Sequence, residues 1–112
     1  ICLGHQCIGE ALGGTVSYAK ALFHGKQSLI EHDGSSVFTG INSPIRVARY
    51  HSLAVQEKDL PDCLRVLART DDGEIMAMRH KEYPVVGLQF HPESILTPQG
   101  RQMVENFLKI TR

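Results

Sequence analysis

The chain has 112 residues, enough for one small domain and too few for two. Twelve Lys and Arg balance twelve Asp and Glu, which gives no support to a nucleic-acid surface or an anionic membrane patch. No apolar run approaches the roughly 18 residues of a membrane span, and three cysteines without metal-clip spacing argue for a reducing, cytoplasmic setting over a disulfide framework.

In chain order, residues 3–12 fit a short helix, closed by Gly13-Gly14 as a stop signal. The β-branched and aromatic stretch 15–19 predicts a strand. Residues 26–30 followed by Asp33-Gly34 suggest a hairpin. Residues 45–50 alternate apolar and polar side chains, as a half-buried strand does. Two further strands, 64–70 and 74–79, flank Asp71-Asp72-Gly73, a strong hairpin signal. The nearly continuous apolar run 85–90 predicts a strand buried on both faces, ending at His91-Pro92-Glu93. A helix is expected over 98–110, with Met103, Val104, Phe107 and Leu108 as its buried stripe. Interleaved helices and strands indicate an α/β layered fold, in which chemistry collects where strands end.

Cys2, followed by Leu3 and Gly4 and then a helical run, has the form of the second half of a nucleophile elbow. A sharp strand-to-helix turn there exposes the nucleophile and asks for a small neighbour, which Gly4 supplies. The helix start places the positive end of its dipole beside the sulfur, and the Leu3 N–H can donate to a developing oxyanion. Alone, a free cysteine is more often a small core residue. A thiol nucleophile also needs a base, and imidazole exchanges protons near neutral pH. His91 meets that need, and Glu93 can fix its tautomer while Pro92 stiffens the turn between them. By itself the His-Pro-Glu string could equally be a solvated exit from a strand.

Taken together, Ile1-Cys2-Leu3-Gly4-His5-Gln6, Arg49-Tyr50-His51-Ser52-Leu53 and Gly87-Leu88-Gln89-Phe90-His91-Pro92-Glu93-Ser94 resemble the class I (triad) glutamine amidotransferases over essentially the whole chain. The middle segment, with His24-Gly25-Lys26 and Ile95-Leu96-Thr97, is most similar to the glutaminase component of anthranilate synthase and its sister in aminodeoxychorismate synthase. The resemblance implies a flavodoxin-like three-layer α/β fold with a mixed sheet and the nucleophile at a strand-to-helix elbow. Residues 1–112 would then be the C-terminal portion of a single amidotransferase domain, with upstream strands and a Gly-rich oxyanion loop outside the chain. It also implies roles: Cys2 as nucleophile, His91 as general base and acid, Glu93 orienting His91, Leu3 as oxyanion donor, Gln6 contacting the bound glutamine, and Ser52 and Leu53 holding its α-amino and carboxylate end. The implied substrate is glutamine, no cofactor is needed in this subunit, and ammonia would pass to a chorismate-binding synthase component I, separate or fused. Anthranilate synthesis is favoured, with aminodeoxychorismate synthesis, or service to both, as the alternative.

The six histidines form no i, i+4 helical pair and no finger spacing, so no metal is expected. His5 is expected to pack or hydrogen-bond locally, Cys7 to lie beneath the site, Cys63 to start a strand in the core, and His24 to sit on a loop or face a partner. Two other readings stand beside the enzyme: a non-catalytic binding module of the same fold, and a cysteine peptidase-like hydrolase. Intact Cys2, His91 and Glu93 argue against the first, and Gln6 with Ser52-Leu53 against the second.

Overall fold

The first helix forms where its stop signal places it. The computed structural model describes residues 1–110, in which α1 spans Leu3–Ala11. The N–H groups of Leu12, Gly13 and Gly14 then bond back to the carbonyls of Ile8, Glu10 and Gly9 and end the helix. β1 (Val16–Tyr18) follows and pairs antiparallel with β4 (Leu53–Val55), a strand that the sequence pattern does not announce. Five further strands form a second sheet: β2 (Lys26–His32), β3 (Ile45–Arg49), β5 (Leu64–Thr70), β6 (Ile75–His80) and β7 (Val86–Leu88). Their order is β3-β2-β5-β6-β7.

Every strand pairing among the described residues is antiparallel. Where the resemblance implies a mixed sheet, the described part is antiparallel: short connections join β5 to β6 and β6 to β7, whereas β1–β4 and β2–β5 pair strands that are not consecutive in the chain. The hairpin of β5 and β6 turns at 71–73 as expected, tightened by the Thr70 hydroxyl accepting from the Glu74 N–H at 3.0 Å. β2 and β3 also pair, but not through a tight Asp33-Gly34 turn. The Asp33 carboxylate accepts from the N–H and hydroxyl of Ser35 and steers the chain into a 3-10 turn, Ser36–Phe38. Val37 and Phe38 of that turn are buried, so core packing lengthens the connection.

The run 85–90 is strand-like for only three residues, and β7 lies at the end of the described sheet. Gln89 and Phe90 are nonetheless fully buried. The Gln89 N–H donates to Met76 on β6, and two residues on the His91 N–H donates to Ala48 on β3. Segment 89–91 thus bridges the sheet towards its opposite edge strand, and the sheet curls. The same curl buries Ala48 and Arg49 and breaks the simple alternation expected in β3.

α2 spans Gly100–Ile110. Its expected stripe needs correction, because Met103 is buried and Phe107 packs against the core while Val104 and Leu108 are exposed. Asn106 takes the missing place. Its amide donates to the carbonyls of Val37 and Thr39 at 2.8 and 2.9 Å, satisfying the end of the 3-10 turn. The main core joins Ile30, Val47, Leu67, Met76, Phe90 and Met103. A second, around Val55, Ile75 and Met78, receives Ile8 of α1, with Cys63 packed at its margin as expected.

Candidate active site

Cys2 has φ 50° and ψ −102°, a backbone conformation unusual for a residue with a side chain and the mark of an elbow. Its N–H donates to the Leu88 carbonyl at 2.7 Å, so the end of β7 holds the turn from which α1 departs. Leu3 occupies the first helical position, where an N–H has no acceptor within the helix and can serve a ligand, while its side chain is exposed. Gly4 is not demanded by crowding among the described residues: a Cβ there would meet no atom within 4 Å. Cys7 is exposed rather than packed beneath the site, because its position on α1 faces away from both cores.

His91 and Glu93 meet as expected, with His91 Nδ1 2.9 Å from Glu93 Oε2. A carboxylate can only accept, so Nδ1 carries a proton, and in the neutral ring Nε2 keeps the lone pair. The backbone of His91 is held twice. Its N–H donates to Ala48, and its carbonyl accepts from the Thr97 hydroxyl at 2.7 Å, which in turn accepts from the Ala48 N–H at 2.9 Å. Gly100 lets α2 start directly against this loop, since a Cβ on it would collide with the Pro92 carbonyl oxygen.

No hydrogen bond joins Cys2 to His91 among the described residues. The two meet around Tyr50: the Cys2 thiol donates to its carbonyl at 3.8 Å, and its ring stands edge-on to the His91 ring at 5.1 Å. Tyr50 lies within the motif that carries the resemblance, yet nothing in its residue type points to this role. The exposed His24 ring packs edge-on against Tyr50 from the other side.

Gln6 is buried and committed. Its amide nitrogen donates to the Leu53 carbonyl at 3.1 Å and to Gln89 Oε1 at 3.2 Å, leaving Oε1 as its free polar atom. Gln89 in turn donates to Cys2 Sγ at 3.7 Å. Ser52 is exposed beside Leu53, and its carbonyl accepts from Ala19. The elbow, the segment of Gln6, Ser52 and Leu53, and the His91 loop are therefore gathered into one region. Gln89 is a contact that sequence reasoning misses, because it sits inside an apolar run that otherwise signals only a buried strand.

Beneath this region His5 is fully buried, and among the described residues neither ring nitrogen has a hydrogen-bond partner. Burial pushes its pKa down to about 4, so the ring is neutral at physiological pH. A Cβ on Gly87 would lie 2.7 Å from its Nδ1, so that glycine makes room for the imidazole under α1. Among the described residues no group of His, Cys, Asp and Glu could hold a metal, and no helix is long and apolar enough to cross a membrane.

The family model described as "Glutamine amidotransferase class-I" matches residues 1–111. The chain is 53% identical over 110 residues to the bifunctional protein TrpGD of Thermotoga maritima, covering 98% of this chain and 19% of that protein. It is 51% identical over 112 residues to the aminodeoxychorismate/anthranilate synthase component 2 of Bacillus subtilis, covering all of this chain and 58% of that protein. A solved structure of a candidate GMP synthase protein from Thermoplasma acidophilum superposes with a TM-score of 0.90 at 30% identity, covering 98% of this chain and 54% of that one. The chain thus spans less than two thirds of the length of each of these proteins.

Proposed function

The chain belongs to the class I glutamine amidotransferase family, and from that premise we propose that it is the glutaminase part of a chorismate-aminating synthase, serving anthranilate formation. The observation that carries the reading is the elbow at Cys2, facing Tyr50, whose ring touches the imidazole that Glu93 holds in its Nδ1–H form. In the proposed reaction the Cys2 sulfur attacks the side-chain amide carbon of glutamine. The thiol proton passes to His91 Nε2 and then to the departing nitrogen, which leaves as ammonia. Water, activated by His91, attacks the γ-glutamyl thioester; glutamate departs and the thiol is restored. In this reading the Leu3 N–H, at the first position of α1, donates to the tetrahedral oxygen. Contact between Cys2 and His91 tightens when glutamine displaces the thiol from the Tyr50 carbonyl, since catalytic hydrogen bonds are often open without substrate.

Gln6, Ser52 and Leu53 hold the amino-acid end of the substrate in this reading. With both amide hydrogens of Gln6 engaged, Oε1 is the atom that meets the substrate ammonium. Ammonia goes to a chorismate-binding component I, as a separate subunit or on the same polypeptide, and no cofactor is needed on this side. A cytoplasmic setting fits the free cysteines. The second reading, aminodeoxychorismate synthesis or service to both products, is favoured by the double name of the Bacillus subtilis relative.

The test is covalent labelling of the full-length protein by a glutamine-mimicking diazo-ketone. Cys2 should be modified and glutamine should protect it, and Cys2→Ser should lower glutaminase kcat by about a thousandfold or more. Modification indifferent to glutamine would refute the reading.

A further inference from the structure

Glu74, in the turn end of the β5–β6 hairpin, and Arg49, the last residue of β3, form a buried ion pair with side chains only 6% and 4% exposed. Neither belongs to the elbow, to the His91 loop or to the glutamine-contacting set. Burying two charges is expensive, and such a pair is weak evidence for stability because apolar residues of similar volume often do as well. What distinguishes this pair is where its remaining donors go.

Arg49 has donors and no acceptor, so its Nε–H donates to His51 Nε2, at 3.0 Å. That nitrogen must therefore carry the lone pair. The proton of the neutral ring is on Nδ1, which donates to the Leu53 carbonyl at 2.7 Å. Phe23 closes the arrangement, stacking on the His51 ring at 5.5 Å and lying under the Arg49 guanidinium at 3.4 Å. Burial keeps the His51 pKa below its ordinary value, and the charge of Arg49 adds to that effect. The Leu53 carbonyl also accepts from Gln6, so both its lone pairs are filled. Gln6 continues to Gln89, and Gln89 to Cys2 Sγ. Fixed donor and acceptor chemistry at Glu74 and Arg49 thus sets the polarity of every link as far as the Leu53 carbonyl.

We infer that Glu74 and Arg49 are positioning residues for glutamine binding: they lock His51 in its Nδ1–H form, and that ring pins the Leu53 carbonyl and with it the Ser52-Leu53 segment. The inference rests on the glutaminase reading for what the segment binds, but the tautomer at its centre stands independently of any activity. The consequence is specific. Loss of the lock loosens the binding segment while leaving the elbow and the His91 loop in place, since those are held by Leu88, Ala48 and Thr97.

Two measurements on the full-length protein test this. In the wild type, 15N-resolved spectra of His51 should show a protonated Nδ1 and an unprotonated Nε2 at neutral pH; the opposite tautomer or an imidazolium would overturn the inference whether or not glutamine is hydrolysed. In steady-state glutaminase assays Glu74→Gln should raise KM for glutamine by about fivefold, the ratio that loss of one hydrogen bond produces, with kcat within about twofold of wild type. His51→Asn, whose amide can still donate to the Leu53 carbonyl, should keep KM nearer to wild type than His51→Leu, which only fills the volume. Glu57→Gln, which breaks the exposed Arg69–Glu57 pair, should change neither constant. Equal KM values for His51→Asn and His51→Leu, or a fall in kcat without a rise in KM for Glu74→Gln, would refute the positioning role. A wild type that is not labelled by the glutamine mimic but has the Nδ1–H tautomer would instead sink the glutaminase reading alone.

Discussion

Acidification from pH 7 to pH 4 should strip the fold of about 3 kcal/mol through one side chain that takes no part in the proposed chemistry. His5 is fully buried, its ring nitrogens have no hydrogen-bond partner among the described residues, and burial lowers its pKa from 6.5 to about 4. The unfolded chain exposes an ordinary imidazole, which takes up a proton near pH 6.5, whereas the folded one resists until about pH 4. Between those values the unfolded state binds more protons, so stability is full above about 6.5 and declines as pH falls. Each pH unit is worth about 1.4 kcal/mol, which gives the total of about 3 kcal/mol for this group. His51, also lowered by burial, acts in the same direction. The carboxylates of Asp33 and Asp72, held below their usual range mainly by Ser35 and Thr70 hydroxyls against the effect of burial, lose their contributions only at lower pH. The assay is urea denaturation of the full-length protein in half-unit steps from pH 7 to pH 4, beside a His5→Leu variant. The readout is the slope of unfolding free energy against pH, not its value at pH 7, so the packing cost of the substitution drops out. His5→Leu should be flatter by about 3 kcal/mol over the interval. Identical slopes, or an NMR titration midpoint for His5 near 6.5, would refute the argument.

Gly100→Ala should cut glutaminase kcat by about a hundredfold, because the new methyl meets the Pro92 carbonyl and the displacement passes to His91 and Glu93. Comparison of kcat with the melting temperature checks it, and activity within twofold of wild type would contradict the contact. Asn106→Leu should cost about 2–4 kcal/mol by leaving the Val37 and Thr39 carbonyls without their donor, despite adding apolar surface to α2. Denaturant unfolding measures it, and a stabilised variant would show that those carbonyls find other donors.

How much of this was legible in the sequence depends on whether the deciding partners were local. α1 and its stop, the 71–73 turn, and the strands β2, β3, β5 and β6 were carried by periodicity and turn chemistry over a few residues. β4 was not, since Leu53–Val55 is three residues long and forms a strand only because β1 lies beside it. The stripe of α2 shows the same limit. Hydropathy chose Val104 and Leu108, whereas the carbonyls at the end of a 3-10 turn almost seventy residues earlier chose Asn106. At the site, motif resemblance named Cys2, His91, Glu93, Gln6, Ser52 and Leu53. It assigned no role to Arg49, Tyr50 or Gln89, although all three lie inside its motifs, and it did not include Glu74. Buried polar residues have no periodic signature; their placement is fixed by which donor meets which acceptor after the chain has folded.

The proposed site is assembled from two halves with separate anchors. The nucleophile half hangs on β7, through the bond from the Cys2 N–H to Leu88, and on α1, whose Gly9 packs against Val55. The base half hangs on β3, through Ala48 and Thr97. The backbone strain at Cys2, of order 1–3 kcal/mol, persists only where surroundings over-determine it. Two rigid anchors would do that for each half, yet neither fixes one half relative to the other. The segment 49–53 supplies that link: the Tyr50 carbonyl faces the sulfur, the Tyr50 ring faces the imidazole, and the Leu53 carbonyl ties into Gln6 and Gln89. In the proposed reaction the Ser52-Leu53 end of this segment seats the substrate, and that end gains from being held by a charged pair rather than an apolar one. Arg49 and Glu74 impose direction on each hydrogen bond as far as the Leu53 carbonyl, and apolar packing has none to give.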